Sequence, residues 1–413
     1  MTTRRDFVRT LAAGSLATLA GLGCRSLGHS RAGGDVPLLL FASAGRTCMI
    51  RADGTGFRVF QFEKPDQVTW QPGPVLEGGR QVMFLSMEAR RDGPGKPFEE
   101  YYTQTPTHLW LYDFATGELT EIATRDRLAV FYTPQLLLKN GRMLVQVVRN
   151  KVGQVFNMRL DGSDAHPFTE AGEGLPYGFS LSPDGSRIAF HLASPKGYQI
   201  WTSDPEGKAR TLVVSHPDHL YFAPMWSPEG EWVAFQDCVF RSDPGHDWSD
   251  LCLGRGDGSG FRTVTSGQAL WFGATYGPAD NKGGGSNVPQ WTKSGGVLMA
   301  RRRPGSVVPW QYRVGQPDLD HFNREYLPGS ARGGTDIVRW DSKTGTEQFL
   351  TRSEPAVWDF RATESPDGRW VAFCRCATGG SPALWVMRSD GSEPRMLSQG
   401  IGGAGADHPR WVG

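Results

Sequence analysis

A two-strand unit with alternating apolar and polar residues recurs along the chain. Clear copies occupy residues 178–192, 223–237 and 360–375, and weaker copies occupy 68–85, 133–148 and 288–302. Each copy runs from an apolar strand through a tight turn, of the Pro-Asp-Gly type in the clear copies, into a second alternating strand. This pattern is typical of a β-hairpin with one buried face. Asp184, Glu229 and Asp367 are therefore predicted to be turn residues rather than catalytic carboxylates.

A second turn accompanies each unit, between an apolar strand and a strand that contains Thr, Arg, Val or Leu. These turns are Asp53-Gly54, Thr116-Gly117, Asp161-Gly162, Glu206-Gly207, Asp257-Gly258, Thr344-Gly345 and Asp390-Gly391. Each unit then has four strands, and such small sheets bury their faces by stacking radially on one another. We predict an all-β fold, a seven-bladed β-propeller of four-stranded blades. The first blade combines residues 36–60 with a strand from 406–413, so both termini close it.

The composition agrees with one all-β domain over residues 36–413. The 53 glycines, 28 prolines and 14 tryptophans indicate many turns and aromatic-anchored strands, and helical periodicity is hard to find after residue 35. Lys and Arg total 44 against 43 Asp and Glu, a formal net charge of +1. Proteins that bind nucleic acid usually carry a large positive charge, so we expect no nucleic-acid partner.

The Ser-Pro-Asp-Gly and Ile-Ala-Phe signatures of the repeat resemble those of a known group of propellers. The group includes the WD-like repeats of the Tol-system translocation protein, the propellers of oligopeptidases, and oligogalacturonate lyase. The resemblance covers nearly all of residues 36–413 and implies the fold, whereas function depends on the site that each protein carries. The chain has no Gly-x-Ser-x-Gly motif, so the resemblance to oligopeptidases does not extend to serine hydrolase chemistry.

The first residues combine Arg4-Arg5 with an Ala-, Gly- and Leu-rich stretch from Leu11 to Gly23. Paired arginines before a short apolar segment resemble a twin-arginine signal, which a receptor reads and which does not span the membrane. We therefore assign residues 1–35 to a signal and linker, and expect a periplasmic or cell-envelope location. Cys24 ends the apolar run and resembles the lipid-accepting cysteine of bacterial lipoproteins, so a lipid there is the one expected contact with the membrane.

The other five cysteines show no metal-type Cys-x-x-Cys spacing. Cys238 and Cys252 flank a predicted hairpin, and a disulfide between them is one expectation in an oxidising compartment. Cys374 and Cys376 alternate on one strand face and are expected to pack in the core.

The long connections between strands all fall on one face of the predicted ring. They are 87–107, 237–250, 272–287 and 302–336. Long loops grouped on one face of a rigid scaffold commonly carry function. Five of the nine histidines, at positions 216, 219, 246, 321 and 408, lie in segments at this rim, each with an aspartate within two residues. This composition suits a metal site or a polar substrate cleft, although a single His-Asp pair is often only a loop-stabilising hydrogen bond.

Candidate roles follow from residue type and from the inward direction expected of strand starts at the rim. Imidazoles with one carboxylate suit a divalent metal such as Mn, Zn or Ca, and the candidate ligands are His219, His246, Asp359 and His408. The candidate catalytic residues, acting as a base or as a clamp on a substrate carboxylate, are His219, Arg361 and His321. The candidate substrate-binding residues are Asp218, Tyr221, Trp248, Trp271, Tyr276, Asn323, Arg324 and Asp407.

The resemblance to oligogalacturonate lyase implies a specific metal chemistry. That family uses histidines at the channel mouth to hold a divalent metal, which acidifies the proton next to a uronate carboxylate. By this resemblance, His408-Pro409 corresponds to the last metal histidine of the family and the proline that follows it. Ala406 stands where the family carries a further histidine.

Three functional hypotheses follow. The leading one is an exported propeller that binds a polar ligand, an oligosaccharide or a peptide segment, at its channel mouth. The second is a metal-dependent polysaccharide lyase of the oligogalacturonate type, or a related carbohydrate-active enzyme. The third is a non-catalytic, Tol-like interaction module whose partner is an envelope protein.

Overall fold

The structure, a computed structural model, describes most of the chain after residue 35. The described ranges are 36–60, 67–68, 72–88, 107–124, 136–149, 152–194, 197–239, 248–274, 284–312 and 324–413. The expected signal, with Arg4, Arg5 and Cys24, lies outside these ranges. No helix within them is long and apolar enough to cross a membrane.

Strands make up nearly all of the regular structure in these ranges. The first part of the chain gives β1 (Leu38–Ser43), β2 (Arg46–Arg51), β3 (Arg58–Val59), β4 (Gln67–Val68), β5 (Pro72–Val75), β6 (Gln81–Glu88), β7 (Thr107–Asp113), β8 (Leu119–Ile122), β9 (Leu136–Leu137), β10 (Arg142–Arg149), β11 (Val152–Arg159) and β12 (His166–Pro167). The middle part gives β13 (Leu175–Leu181), β14 (Ile188–Ser194), β15 (Gly197–Ser203), β16 (Thr211–Ser215), β17 (His219–Trp226), β18 (Trp232–Val239), β19 (Ser249–Arg255) and β20 (Phe261–Thr263).

The last part of the chain continues in the same way. It gives β21 (Phe272–Ala274), β22 (Gly284–Ser286), β23 (Gln290–Trp291), β24 (Gly296–Arg302), β25 (Trp310–Tyr312), β26 (Arg324–Tyr326), β27 (Thr335–Asp341), β28 (Glu347–Phe349), β29 (Val357–Glu364), β30 (Trp370–Ala377), β31 (Ala383–Arg388), β32 (Arg395–Ser398) and β33 (Asp407–Val412). Short 3-10 turns occur at Glu77–Gly79, Pro328–Ser330 and Ile401–Gly403. The predicted all-β class is confirmed.

Most strands form four-stranded antiparallel meanders. Examples are β13-β14-β15-β16, β17-β18-β19-β20 and β29-β30-β31-β32. The first strand of each meander is called its innermost strand below, and the same name is used for β5, which pairs with β6, and for β33, which pairs with β1. Consecutive meanders touch through single parallel bridges, Tyr198 with Leu220 and Thr335 with Trp358.

The turns are stabilised by their own polar side chains. Asp184 accepts hydrogen bonds from the hydroxyl of Ser182 (2.6 Å) and the backbone N–H of Ser186 (3.0 Å). These hydrogen bonds, that from Ser182 first, lower the pKa of Asp184 to about 2. Asp367 makes the equivalent bonds in its own turn, and Glu229 also lies in a turn. The prediction that these carboxylates are turn residues is confirmed.

The apolar core lies between neighbouring sheets. Leu40 of β1 packs with Phe84 of β6, and Phe41 of β1 packs with Leu384 of β31. Burying one such phenylalanine stabilises the fold by about 2–3 kcal/mol. The last strand, β33, pairs antiparallel with β1. The sheet that contains both ends of the described chain is therefore packed against the second sheet on one side and the last sheet on the other.

The predicted Cys238–Cys252 disulfide does not form. Cys238 lies opposite Ser249 in the β18–β19 pair, whereas Cys252 lies opposite Phe235. The register therefore separates the two residues along the hairpin, and both are buried as separate thiols. Cys374 and Cys376 pack in the core, as predicted.

Candidate functional site

One irregularity recurs at the same place on the innermost strands. β5, β13, β17, β29 and β33 each contain a register shift, and one residue in each shift has a left-handed backbone. These residues are Gly73, Gly178, Ala223, Arg361 and His408, with φ of 116°, 65°, 56°, 52° and 55°. Glycine adopts this conformation freely, whereas a residue with a side chain pays about 1–2 kcal/mol. Large side chains held in this conformation often mark functional sites.

Arg361 is buried and is held through both its backbone and its side chain. Its backbone N–H donates to Oδ1 of Asn287 (2.6 Å), and its guanidinium forms an ion pair with Asp407. Asp407 also accepts from the backbone N–H of His408 (2.7 Å) and lies 3.3 Å from Sγ of Cys374. The carboxylate of Asp407 thereby joins the innermost strands of two neighbouring sheets.

The protonation states of Asp407 and His408 depend on each other and on the charge of Arg361. Burial by itself would raise the pKa of Asp407, but the charges of Arg361 and His408 and hydrogen bonds outweigh it and lower the pKa to about 2. Burial, followed by the positive charge of Arg361, lowers the pKa of His408 to about 4. At neutral pH, Asp407 is therefore ionised and His408 is neutral. Nε2 of His408 is buried and has no hydrogen-bond partner among the described residues, although 18% of the side chain is exposed.

Arg410 lies two residues beyond His408 on β33. Its side chain runs against the backbone of Gly73, since a Cβ at Gly73 would come within 2.6 Å of Cδ and Nε of Arg410. Burial lowers the pKa of Arg410, and its charge contributes to the low pKa of His408. The side chain of Arg410 makes no hydrogen bond or ion pair with any residue in the part of the chain that the structure describes.

Arg361, Asp407, His408 and Arg410 together are called the inner-strand recess. Asp407 neutralises Arg361, and His408 is uncharged, so Arg410 leaves the recess with a net charge of +1. A partly desolvated guanidinium without a counterion is unfavourable, and an anionic group from outside would satisfy it. The recess can therefore bind a carboxylate, with Arg410 as the charged donor and Nε2 of His408 as a neutral hydrogen-bonding partner.

The recess does not suit a divalent cation. Arg361 and Arg410 place positive charge beside the imidazole of His408, and Asp407 is already occupied by Arg361. Ala406 has no donor atom. Within the described ranges, no group of three or more His, Cys, Asp or Glu side chains is placed to hold a metal ion. We therefore derive no chemistry through a metal at this position.

The predicted metal ligands are not gathered into one site among the described residues. Asp359 is fully buried, and it accepts hydrogen bonds from Arg375 (2.6 and 2.8 Å) and from the hydroxyl of Ser353 (2.7 Å). His219 contacts Asp237, His216 and Tyr221, whereas His408 contacts Asp407. His246 lies outside the described ranges. The structure instead brings together Arg361, which was predicted to be catalytic, Asp407 and His408.

His219 is held at the start of β17 by a neighbouring strand. Its Nδ1 lies 2.8 Å from both carboxylate oxygens of Asp237, and its ring stacks on Tyr221 with centroids 5.6 Å apart. The ring of His216 lies 4.5 Å from that of His219. Burial raises the pKa of Asp237 despite the hydrogen bond from His219. Asp218 is exposed, and its backbone N–H donates to Nδ1 of His216 (3.2 Å).

Three aromatic residues predicted to bind substrate are core residues instead. Tyr221, Trp248 and Trp271 are 3%, 1% and 1% exposed. Trp248 stacks on Trp358 at 6.4 Å between centroids, and Trp271 meets the ring of Phe222 edge-on at 5.2 Å. No ring face remains for a ligand, because sheet packing covers these side chains. The prediction that they contact substrate is wrong.

Other predicted site residues cannot be assigned a position. Tyr276, His321 and Asn323 lie outside the described ranges, and the side chain of Arg324 on β26 is not described. Sequence reasoning did not find Asp237, Asn287 or Arg410. A signal for part of the site was nevertheless present: when the repeat copies are aligned, Arg361 and His408 fall in the column that holds Gly178 and Ala223.

Comparisons with known proteins agree on the fold. No model of a known protein family matches this sequence. An uncharacterized protein of Agrobacterium fabrum is 27% identical over 208 residues, which is 48% of this chain and 64% of that protein. The chain therefore spans somewhat less than two thirds of that relative.

Two solved structures show the architecture. Oligogalacturonate lyase in complex with manganese superimposes with a TM-score of 0.51 and 14% identity, over 88% of this chain and 85% of the lyase. A puromycin-hydrolyzing peptidase of Mycobacterium tuberculosis gives a TM-score of 0.50 and 13% identity, over 81% of this chain and 46% of the peptidase. At such low identity these likenesses concern the fold alone, and the chain has the fold of a β-propeller that resembles oligogalacturonate lyase.

Proposed function

We propose that this chain is an exported, seven-bladed β-propeller that binds the carboxylate of a polar ligand in the inner-strand recess. The repeat supports seven blades, and the pairing of β33 with β1 supports a ring closed by both termini. The sheet formed by these strands packs against sheets on both sides. This is the arrangement that radial stacking requires of every blade.

The unpaired guanidinium of Arg410 carries the proposal. Every other charge of the recess is balanced: Asp407 pairs with Arg361, and His408 is neutral because of its lowered pKa. An anion beside Arg410 would balance its positive charge, and Nε2 of His408 would form a hydrogen bond with a polar atom of the same ligand. The fixed negative charge of Asp407 opposes a dianion, so a singly charged carboxylate suits the recess better than a phosphate.

The ligand class follows from this chemistry. Carboxylates occur in acidic oligosaccharides and in peptide segments, which were the two ligands predicted from the sequence. A metal-assisted lyase reaction receives no support from the recess, because its charges disfavour a divalent cation. The Tol-like interaction role is not favoured by any contact in the described ranges. We further propose a cell-envelope location, which rests on the resemblance of Arg4-Arg5 to a twin-arginine signal.

Calorimetric titration of the full chain tests the proposal. The probes are trigalacturonic acid and its methyl ester, and a tripeptide with a free C-terminal carboxylate and its amide. We expect one acidic probe to bind at least about tenfold more tightly than its uncharged partner, since a charge-assisted hydrogen bond contributes about 1.5–3 kcal/mol. Arg410→Gln removes the charge and should abolish this preference.

Arg369→Gln provides the matched control. Arg369 is an exposed turn arginine whose side chain pairs with Asp367 in its own turn, so its loss should leave binding unchanged. Equal binding of acidic and uncharged probes by the parent chain would contradict the proposal. So would an Arg410→Gln variant that keeps the preference of the parent.

A further inference from the structure

A second polar cluster lies at the start of β17 and carries the opposite charge to the inner-strand recess. It consists of His216, His219, Asp218 and Asp237 and is called the β17 histidine cluster. The two imidazole rings are 4.5 Å apart between centroids and nearly perpendicular, at 73°. Its hydrogen bonds and ring contacts among the described residues involve none of the residues of the recess.

Asp237 fixes the orientation of His219. Both of its carboxylate oxygens lie 2.8 Å from Nδ1, and because a carboxylate accepts hydrogen bonds, Nδ1 carries the proton. In the neutral form of His219 the lone pair is therefore on Nε2. The side chain of Asp237 is 5% exposed whereas that of His219 is 28% exposed. A buried carboxylate behind a partly exposed histidine is the arrangement that orients metal-binding histidines and raises their basicity.

The ring of His216, an exposed residue, lies 4.5 Å from that of His219 between centroids. Its Nδ1 accepts the backbone N–H of Asp218 at 3.2 Å. Among the described residues, neither Nε2 atom of the two histidines has a hydrogen-bond partner. Nε2 of neutral His219 offers a lone pair, and Nε2 of His216 offers one once its proton moves to Nδ1.

The surrounding charges favour a cation. The largest electrostatic effects on Asp237 come from His219, Asp250 and His216. Asp218 adds a further exposed carboxylate. By contrast, Arg361 and Arg410 surround His408 in the recess. The imidazoles of the β17 histidine cluster therefore lie beside carboxylates, whereas the imidazole of His408 lies in a recess with a net positive charge.

We propose that His216 and His219 bind one divalent transition-metal ion through their Nε2 atoms, with water completing its coordination. Imidazole ligands select zinc, nickel or copper(II) over magnesium or calcium. The bonds are donor bonds from two lone pairs, and no electron transfer is involved. The proton on Nε2 of His216 moves to Nδ1 as the metal binds, so that histidine gives up its hydrogen bond from Asp218. This site is independent of the proposed carboxylate site.

Titration of the untagged, metal-free full chain with zinc chloride tests the site. We expect one zinc ion per chain in the parent, and loss of this binding in His219→Ala and in His216→Ala. Asp237→Asn keeps the size of the side chain but removes the carboxylate, and it should weaken zinc binding by about 10- to 100-fold. Melting curves identify any variant that fails to fold.

His166→Ala is the matched control. His166 is an exposed histidine in contact with Asp164, but no second imidazole contacts it among the described residues, so its loss should leave zinc binding unchanged. Electron paramagnetic resonance of the copper(II)-loaded chain gives an independent measure. A signal from two imidazole nitrogens supports the site, and a signal from fewer overturns it. Zinc binding that is equal in the parent and in folded His219→Ala also overturns it.

Discussion

Arg361 and His408 occupy the same position on two neighbouring innermost strands. Each is the left-handed residue of a register shift, with φ of 52° and 55°. The corresponding positions on three other innermost strands hold Gly73, Gly178 and Ala223, for which this backbone costs less. Asp407 bridges the two, because it pairs with the side chain of Arg361 and accepts the backbone N–H of His408.

This relationship predicts that a substitution at His408 can remove ligand binding while leaving the stability of the fold nearly unchanged. In His408→Gly the backbone strain is relieved, which offsets the lost packing, so the free energy of unfolding should change by less than about 1 kcal/mol. Carboxylate binding should nevertheless weaken or disappear. Ala223→Gly is the control, since it relieves the same strain outside the recess. Denaturant melts with calorimetric titration measure both quantities, and unchanged binding by His408→Gly would count against the recess.

The stability of the chain should depend on pH through His408. Its pKa is about 4 in the folded state, against an ordinary 6.5, so the unfolded chain binds one more proton between these values. The free energy of unfolding is therefore unaffected by this titration above pH 6.5. It decreases by about 3 kcal/mol in total as the pH falls from 6.5 toward 4. Unfolding of the parent and of His408→Gln, measured from pH 7 to pH 4, checks this. Parallel curves would contradict it.

Removing residues 406–413 should destabilise the whole domain. The deletion removes β33, exposes the edge of β1, and takes away Trp411, which is 6% exposed. Loss of such a tryptophan costs about 3–5 kcal/mol, which lowers the melting temperature by about 4–6 °C in a domain of this size. Deletion of Gly413 alone is the mild control. A truncated chain that melts like the parent would show that the ring is not closed by this strand.

Export should depend on the paired arginines. Changing Arg4 and Arg5 together to Lys should leave the precursor inside the cell with its fold unaltered, because the pair is expected to be read by a receptor. Cell fractionation followed by immunoblotting measures this outcome. Processed protein outside the cytoplasm in the double variant would show that the signal is of another type.

Much of the fold could be predicted from the sequence because its signals are local. Asp184 and Asp367 hydrogen bond within their own turns, so a few residues specify each turn. The strand at the C-terminus was recognised from its resemblance to the other innermost strands, and it does pair with β1. Trp248 and Trp271 were misjudged because their burial depends on packing between sheets that are distant in sequence.

The sequence by itself determined the repeating four-strand unit, the turn residues, and the presence of Arg361, Asp407 and His408 among the site candidates. The tertiary structure alone decided which of these candidates meet, because the contact between Arg361 and Asp407 joins residues 46 positions apart. It also decided their charge. The low pKa of His408 and the unpaired state of Arg410 come from burial and from neighbours on other strands, and no local pattern of residues records these.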